Sequence, residues 1–207
     1  MIELDRHYYR SWPRREMSII GFDLSRPAVT YAERVGLLSS GISANLEADP
    51  VPAAAMDVLH GVDLVISTGS IGYITERSIK KILNAIGPRT PWFASFVLRM
   101  FPYDTIESTL GAKGLVTEKL NGVSFVQRRF QSMDESLQVL ERLETLGLDP
   151  TGKEANGLLH AEFFISRPMD DRTAYPLESL ADISQGVNRS TGRLYRRGED
   201  GRVRLMK

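Results

Sequence analysis

Asp23 closes the apolar run Ser18–Phe22 and is followed by Ser25 and Pro27, the signature of a helix start. A carboxylate at the carboxyl end of a buried strand can accept two hydrogen bonds from a vicinal diol such as a ribose. Asp is also a preferred helix cap, although Ser25 is better placed for that task, so both readings stand on local grounds. Leu24 lies beside it in the same candidate site. Asn45 stands at the tip of a short strand around Ile42 to Leu46. Its amide can bond an adenine edge and the Leu46 N–H a ring nitrogen; the bland alternative is an asparagine turn. Ser67, Thr68 and Gly69 end a further apolar run, Val62–Thr68. Gly69 and Gly72 permit close backbone approach or positive φ, and Tyr73 offers a ring for stacking. An ordinary glycine-bearing strand-to-helix turn explains the same letters.

A second tier of residues is thinner. Arg99 and Tyr103 follow the run Pro91–Arg99 and are candidates to line a pocket mouth and meet a small-molecule substrate. Solvation of a long side chain and packing of an aromatic account for them slightly better. Glu118, Arg128 and Arg129 can bind an acidic substrate, or can simply be edge-strand charges that block aggregation. His7, His60 and His160 are scattered without metal-ligand spacing, and no metal site is read from them. No residue stands out as a catalytic acid, base or nucleophile. No GxxxxGK[ST] phosphate loop or GxSxG nucleophile elbow is present.

The elements that must position these residues alternate. Strands are expected at Ser18–Phe22, Ile42–Leu46, Val62–Thr68 and Pro91–Arg99; continuous apolar runs such as "SIIGF" and "VDLVIST" indicate strands covered on both faces. Helices are expected between them, capped by Ser25 and Thr75 and stopped by Gly36, Gly61 and Gly87. After Gly114 the pattern shifts. "VSFVQRRF" alternates as a near-edge strand, "MDESLQVLERLETLG" is an amphipathic helix with Leu137, Leu140, Leu143 and Leu146 spaced by three, and "LLHAEFFISRP" is a last strand stopped by Pro168.

The fold class expected is α/β: a Rossmann-like, mostly parallel sheet, helices on both faces, and an antiparallel edge strand. Residues 1–168 form that domain; 169–207 read as a mobile extension, whose basic end is more simply a solvated tail than a nucleic-acid contact. Composition agrees with a globular chain. The 207 residues carry 26 Lys plus Arg against 26 Asp plus Glu, so there is no net pull toward nucleic acid. With no cysteine, no secretion signal and no apolar run of membrane-spanning length, a cytoplasmic location is expected.

"IIGFDLSRPAVTYAERVGLL", "ANLEADP" and "VDLVISTGSIGYIT" together resemble the second, third and fourth strand motifs of class I S-adenosylmethionine-dependent methyltransferases. "PWFASFVLRMFPYD", "GLVTEKL", "FVQRRF", "GLDPTGKEANG" and "HAEFFISRP" further resemble a bacterial subgroup of methyltransferase-domain proteins. The resemblance spans about Asp5 to Pro168. It implies S-adenosylmethionine as cofactor, with Asp23 at its ribose, Asn45 and Leu46 at adenine, and Ser67, Thr68 and Gly69 near the methionine end.

One motif of that family has no counterpart. Its first strand, ending in a glycine-rich loop, lies mid-sheet, and Met1–Met17 contains no glycine. Without that strand two inner edges lose their ladder partners, at about 1–3 kcal/mol for each buried unsatisfied group. Three outcomes follow: a truncated chain, a strand taken from another chain or a second copy, or direct pairing of the flanking strands with an altered pocket. Function is therefore expected to be a methyltransferase with an incomplete cofactor site acting on a small molecule. The alternative is a non-catalytic, repurposed subunit that works by association.

Overall fold

The computed structural model describes residues 2–12, 17–180, 194–197 and 203–206. Most of the chain belongs to a unit from Met1 to Ala174, and Tyr175–Lys207 form a second unit. The first unit ends six residues beyond the boundary drawn at Pro168, because helix α7 (Met169–Ala174) follows the last strand without a break.

The α/β class is observed. After α1 (Ile2–Arg10) come β1 (Ile20–Asp23), α2 (Arg26–Arg34), β2 (Ser40–Ser43), α3 (Ala53–Leu59), β3 (Leu64–Thr68), α4 (Glu76–Ile86), β4 (Trp92–Leu98) and α5 (Asp104–Gly111). Then follow β5 (Leu115–Lys119), β6 (Phe125–Arg129), α6 (Met133–Thr145), a 3-10 turn (Glu154–Asn156) and β7 (Leu158–Pro168). β1 pairs β2 and β3 pairs β4, both in parallel. β7 runs antiparallel to β4, and its far side is edged by β5 and β6 in succession. The expected antiparallel edge is thus β5 and β6. The second unit contains α8 (Leu177–Leu180) and an antiparallel pair, β8 (Leu194–Arg197) and β9 (Val203–Met206). The basic stretch beginning at Arg189 lies mostly outside the described residues.

Local signals explain most boundaries. Ser25 caps α2 by accepting from the Ala28 N–H, Thr75 caps α4 by accepting from the Arg77 N–H, and Ser132 caps α6 by accepting from the Glu135 N–H. Gly87 takes a φ of 91° past the end of α4, a region costly for other residues. α6 packs through Val139 and Leu143, four residues apart, whereas Leu137 is 53 % exposed. A strict spacing of three drifts around a helix of 3.6 residues per turn, so the expected stripe of leucines leaves the buried face.

Helices cover both faces. Phe93 and Val97 of β4 face α4 and α5, with Ile79, Leu83, Ile106 and Leu110. The alternate face, with Leu98 of β4 and Leu159 and Ala161 of β7, meets Val139 and Leu143 of α6. A third cluster joins Ile42 of β2 to α3 and α4, with Ile20 and Phe22 of β1 and Val65 of β3 packed against it.

The strands fall into separate hydrogen-bonded groups: β1 and β2 form one, β3 to β7 another. Among the described residues no backbone hydrogen bond joins β1 to β3. Their coverage differs from what their sequence predicts. Leu64 is 45 % exposed and Ile66 63 %, although "VDLVIST" is apolar on both faces. Only the face bearing Val65 and the buried Ser67 is covered.

Candidate functional site

The carboxyl ends of β1 and β2 lie side by side, and the loop after β2 reaches the helix that follows β3. Asp23 stands in register with Ser43, and the Ser43 hydroxyl donates to the Leu24 carbonyl (3.1 Å). The loop after β2 is tied to the start of α4 by Glu47. Its carboxylate accepts from the Thr75 N–H (2.7 Å), the Thr75 hydroxyl (2.8 Å) and the Ser78 hydroxyl (2.6 Å). From α4, Lys81 donates to the carbonyls of Leu46 (2.6 Å) and Asp49 (2.9 Å). β3 leads into α4, so these bonds bring the ends of β2 and β3 together.

Each side chain at a tip is partly engaged by its own turn. Asp23 Oδ1 accepts from the Ser25 N–H (2.7 Å), while Oδ2 has no hydrogen bond among the described residues. Ser25, not Asp23, caps α2. Asn45 Oδ1 accepts from the N–H groups of Glu47 (3.2 Å) and Ala48 (3.4 Å). This is the asparagine turn, and β2 ends at Ser43, before Asn45 rather than beyond it. The Asn45 amide nitrogen and the Leu46 N–H have no hydrogen-bond partner among the described residues. Leu46's side chain is buried.

At the tip of β3 the Ser67 and Ser70 hydroxyls are 2.5 Å apart, and Ser67 is buried. Thr68 is exposed. Gly69 adopts φ 66° and donates its N–H to the Phe96 carbonyl (3.1 Å). A Cβ there would meet only the Gln127 side chain, at 3.8 Å, so space stays open over the turn. Gly72 adopts φ 109°, with the Phe101 ring where a Cβ would stand. Leu24 and Tyr73 are exposed, at 69 % and 78 %.

Arg99 and Tyr103 are placed differently from the rest. Arg99 is buried, with its guanidinium on Glu154 (2.5 Å) and on the Asp149 carbonyl (2.9 Å). Tyr103 is buried against Phe164, ring centroids 4.3 Å apart, and burial pushes its phenol up from the ordinary value. Glu118 pairs with Arg167 and Arg172. Arg128 grips Glu135 through two hydrogen bonds (3.0 and 2.6 Å), holding that carboxyl at about 2. His160 stands in β7 opposite Val126 of β6, with Nδ1 3.0 Å from the Ser124 hydroxyl, and burial lowers its pKa.

Glu47 is the residue the sequence did not single out. Burial pulls its carboxyl upward, but the hydrogen bonds from Ser78 and Thr75 outweigh this and hold it at about 2, against an ordinary 4.5. The folded pKa is depressed, so the stabilisation is present above about 4.5 and lost as pH falls toward 2. Glu47→Gln is expected to cost about 1–2 kcal/mol at pH 7, limited by partial solvation. The deficit should shrink to near zero by the acid end of that window. Urea titrations of both proteins across pH check this; a pH-independent deficit would place the effect elsewhere.

No family model and no curated protein matches this chain. Among solved structures, the chain is similar to the plantazolicin methyltransferase BpumL, crystallised with a triazolic desmethylPZN analog and SAH. The TM-score is 0.37 at 11% identity, over 73% of this chain and 67% of that one. Among the described residues no helix is long and apolar enough to cross a membrane.

Proposed function

We propose that the chain is a methyltransferase-like protein that holds the nucleoside part of S-adenosylmethionine at the ends of β1, β2 and β3. The observation that carries this reading is the set of unengaged polar groups at one end of the sheet. These are Asp23 Oδ2, the Asn45 amide nitrogen and the Leu46 N–H. An acceptor suits ribose hydroxyls, and donors suit adenine ring nitrogens. Those three groups fit a nucleoside. The methionine end is served only by the Thr68–Gly69 turn, where the backbone is open to close approach.

The cofactor supplies an electrophilic methyl group; the protein's part is to align the acceptor with it. Asp23 and Leu24 fix the ribose, and Tyr73 presents a face to the ring system. The buried Ser67, whose hydroxyl meets that of Ser70, shapes the turn. The methyl acceptor is a small molecule. Arg99 and Tyr103 serve it by holding the end of β4 and the start of α5 in place.

Calorimetric titration with S-adenosylmethionine and with its demethylated product tests the reading. Binding is expected, and Asp23→Ala should weaken it at least tenfold by removing two hydrogen bonds to a charged acceptor. The same change should alter unfolding free energy by no more than about 1 kcal/mol, since Ser25 keeps the cap. If neither compound binds, or if Asp23→Ala unfolds the protein with affinity unchanged, the reading fails. The non-catalytic subunit then takes its place.

A further inference from the structure

Among the described residues, the strand edges that lack a ladder partner include those of β1 and β3. In a parallel ladder the N–H and C=O of one residue point to one side, and those of the next residue to the other. Trp92 donates to the Asp63 carbonyl and Gly69 donates to the Phe96 carbonyl, so the odd-numbered positions of β3 face β4. Leu64, Ile66 and Thr68 therefore turn their backbone groups away from β4. Just before β1 the Ile19 carbonyl accepts from the N–H groups of Ser39 (2.8 Å) and Ser40 (3.4 Å), and the Gly41 N–H goes to Glu33 instead of the Ile20 carbonyl, which assigns odd positions to β2. Ile20 and Phe22 turn theirs away. None of these five residues has a backbone partner on that side among the described residues.

Both edges border one core. Ile20, Phe22 and Val65 pack against the same cluster of Ile42, Leu59, Ala85 and Ile86. The two edges run the same way, because Glu47 and Lys81 hold the carboxyl ends of β2 and β3 together, and β2 is parallel to β1. None of the five edge residues is charged. The apolar side chains of Leu64 and Ile66 stand in solvent beside their unpaired backbone, on a strand whose sequence is apolar on both faces. That sequence pattern belongs to a strand covered on both sides.

We infer that the open edges of β1 and β3 receive a separate extended segment, apolar and uncharged, about five residues long, as an inserted parallel strand. A second copy of the described residues does not supply it, since each of β1 to β7 already has a strand partner of its own. A two-fold pairing of copies would also set β3 antiparallel to its mate and leave β1 unserved. Insertion adds main-chain hydrogen bonds on both sides and sets further apolar side chains beside Leu64 and Ile66 on the same face, the mode of strand addition. The inference stands on the two edges and does not require the cofactor reading.

Amide hydrogen exchange read at single residues tests it. In the protein alone, the amides of Ile20, Phe22, Leu64, Ile66 and Thr68 are expected to exchange fast, and those of Val65 and Ser67 slowly. The probe is a panel of capped peptides, each of about five residues drawn from valine, isoleucine, leucine and glycine, with lysines at both ends. At least one member should bind one-to-one and slow exchange at both edges together. Ile66→Pro removes an outward donor without touching the β3–β4 ladder, and should weaken that binding at least tenfold. The same peptide carrying N-methylated amides should also fail, whether or not the proline variant folds. Protection of the edge amides in the protein alone, including within a dimer, overturns the inference. So does protection of one strand only, or no binding by any peptide.

Discussion

Glu154→Ala is expected to lower the unfolding free energy by about 3–5 kcal/mol, a large fraction of what a domain of this size possesses. Glu154 and Arg99 are both almost wholly buried, with side-chain exposures of 1% and 5%, and their ion pair spans 2.5 Å. Removing the carboxylate strands the guanidinium in a medium that solvates it poorly. Two partners remain. The Asp149 carbonyl accepts from Arg99 at 2.9 Å, and Glu162 stands 3.9 Å from Nε. Glu162 is already shared with Lys119 at 2.6 Å, so it cannot neutralise Arg99 alone. Glu154→Gln, which keeps a hydrogen-bond acceptor, should cost less than the alanine. The paired change Arg99→Met with Glu154→Leu should recover much of the loss, because two uncharged side chains leave no orphan. Denaturant melts of the four proteins decide the matter. A loss below about 1 kcal/mol for the alanine would mean that water reaches Arg99. The expectation also bears on function: Arg99→Ala should reduce folded protein before it changes affinity for any acceptor.

Gly72→Ala is expected to cost about 3 kcal/mol, from two separable sources. A Cβ at this position would stand 2.4 Å from the Phe101 ring, and φ 109° is a region that other residues rarely adopt. Phe101 packs against the cluster under α4 and α5 and also against that of α6, so the ring is hemmed in on two sides. Phe101→Leu in the Gly72→Ala background should relieve the crowding and leave the backbone strain of roughly 1–2 kcal/mol. Gly69→Ala serves as the comparison. Its φ is 66° but the space is open, so only the strain should be felt. If Gly69→Ala and Gly72→Ala cost the same, crowding by Phe101 is not a factor. Because both glycines lie in the turn after β3, melting curves should be paired with cofactor titrations of the same variants.

The strand-and-helix order was legible in the letters because its causes are local. The run "PWFASFVLR" had only to be apolar and rich in aromatics to become β4. Ser25, Thr75 and Gly87 act within a few residues of where they stand. The short strand near Ile42 begins two residues earlier than its apolar letters suggest, and its end is set by the asparagine turn and not by hydrophobicity. Nothing local marks β5 as a strand. "LVTEK" has little apolar content, and it becomes one by pairing with β7, some fifty residues onward. α1 is equally silent in the letters; its Tyr8 and Tyr9 meet each other and Trp12 just beyond its end edge-to-face, a contact pattern that composition does not disclose.

Sequence alone determined the alternation of elements, their caps, and the placing of Asp23, Asn45 and Gly69 at or just beyond strand ends, because each depends on propensity and neighbours along the chain. The tertiary structure decided which polar groups were left over. It buried Arg99 on Glu154, turned Glu47 into the clasp between two loops and, among the described residues, engaged one oxygen of Asp23, left the other unbonded, and left β1 and β3 unjoined. Those outcomes turn on distances of a few ångströms between residues far apart in the chain, which set desolvation and hydrogen bonding and which no run of letters encodes.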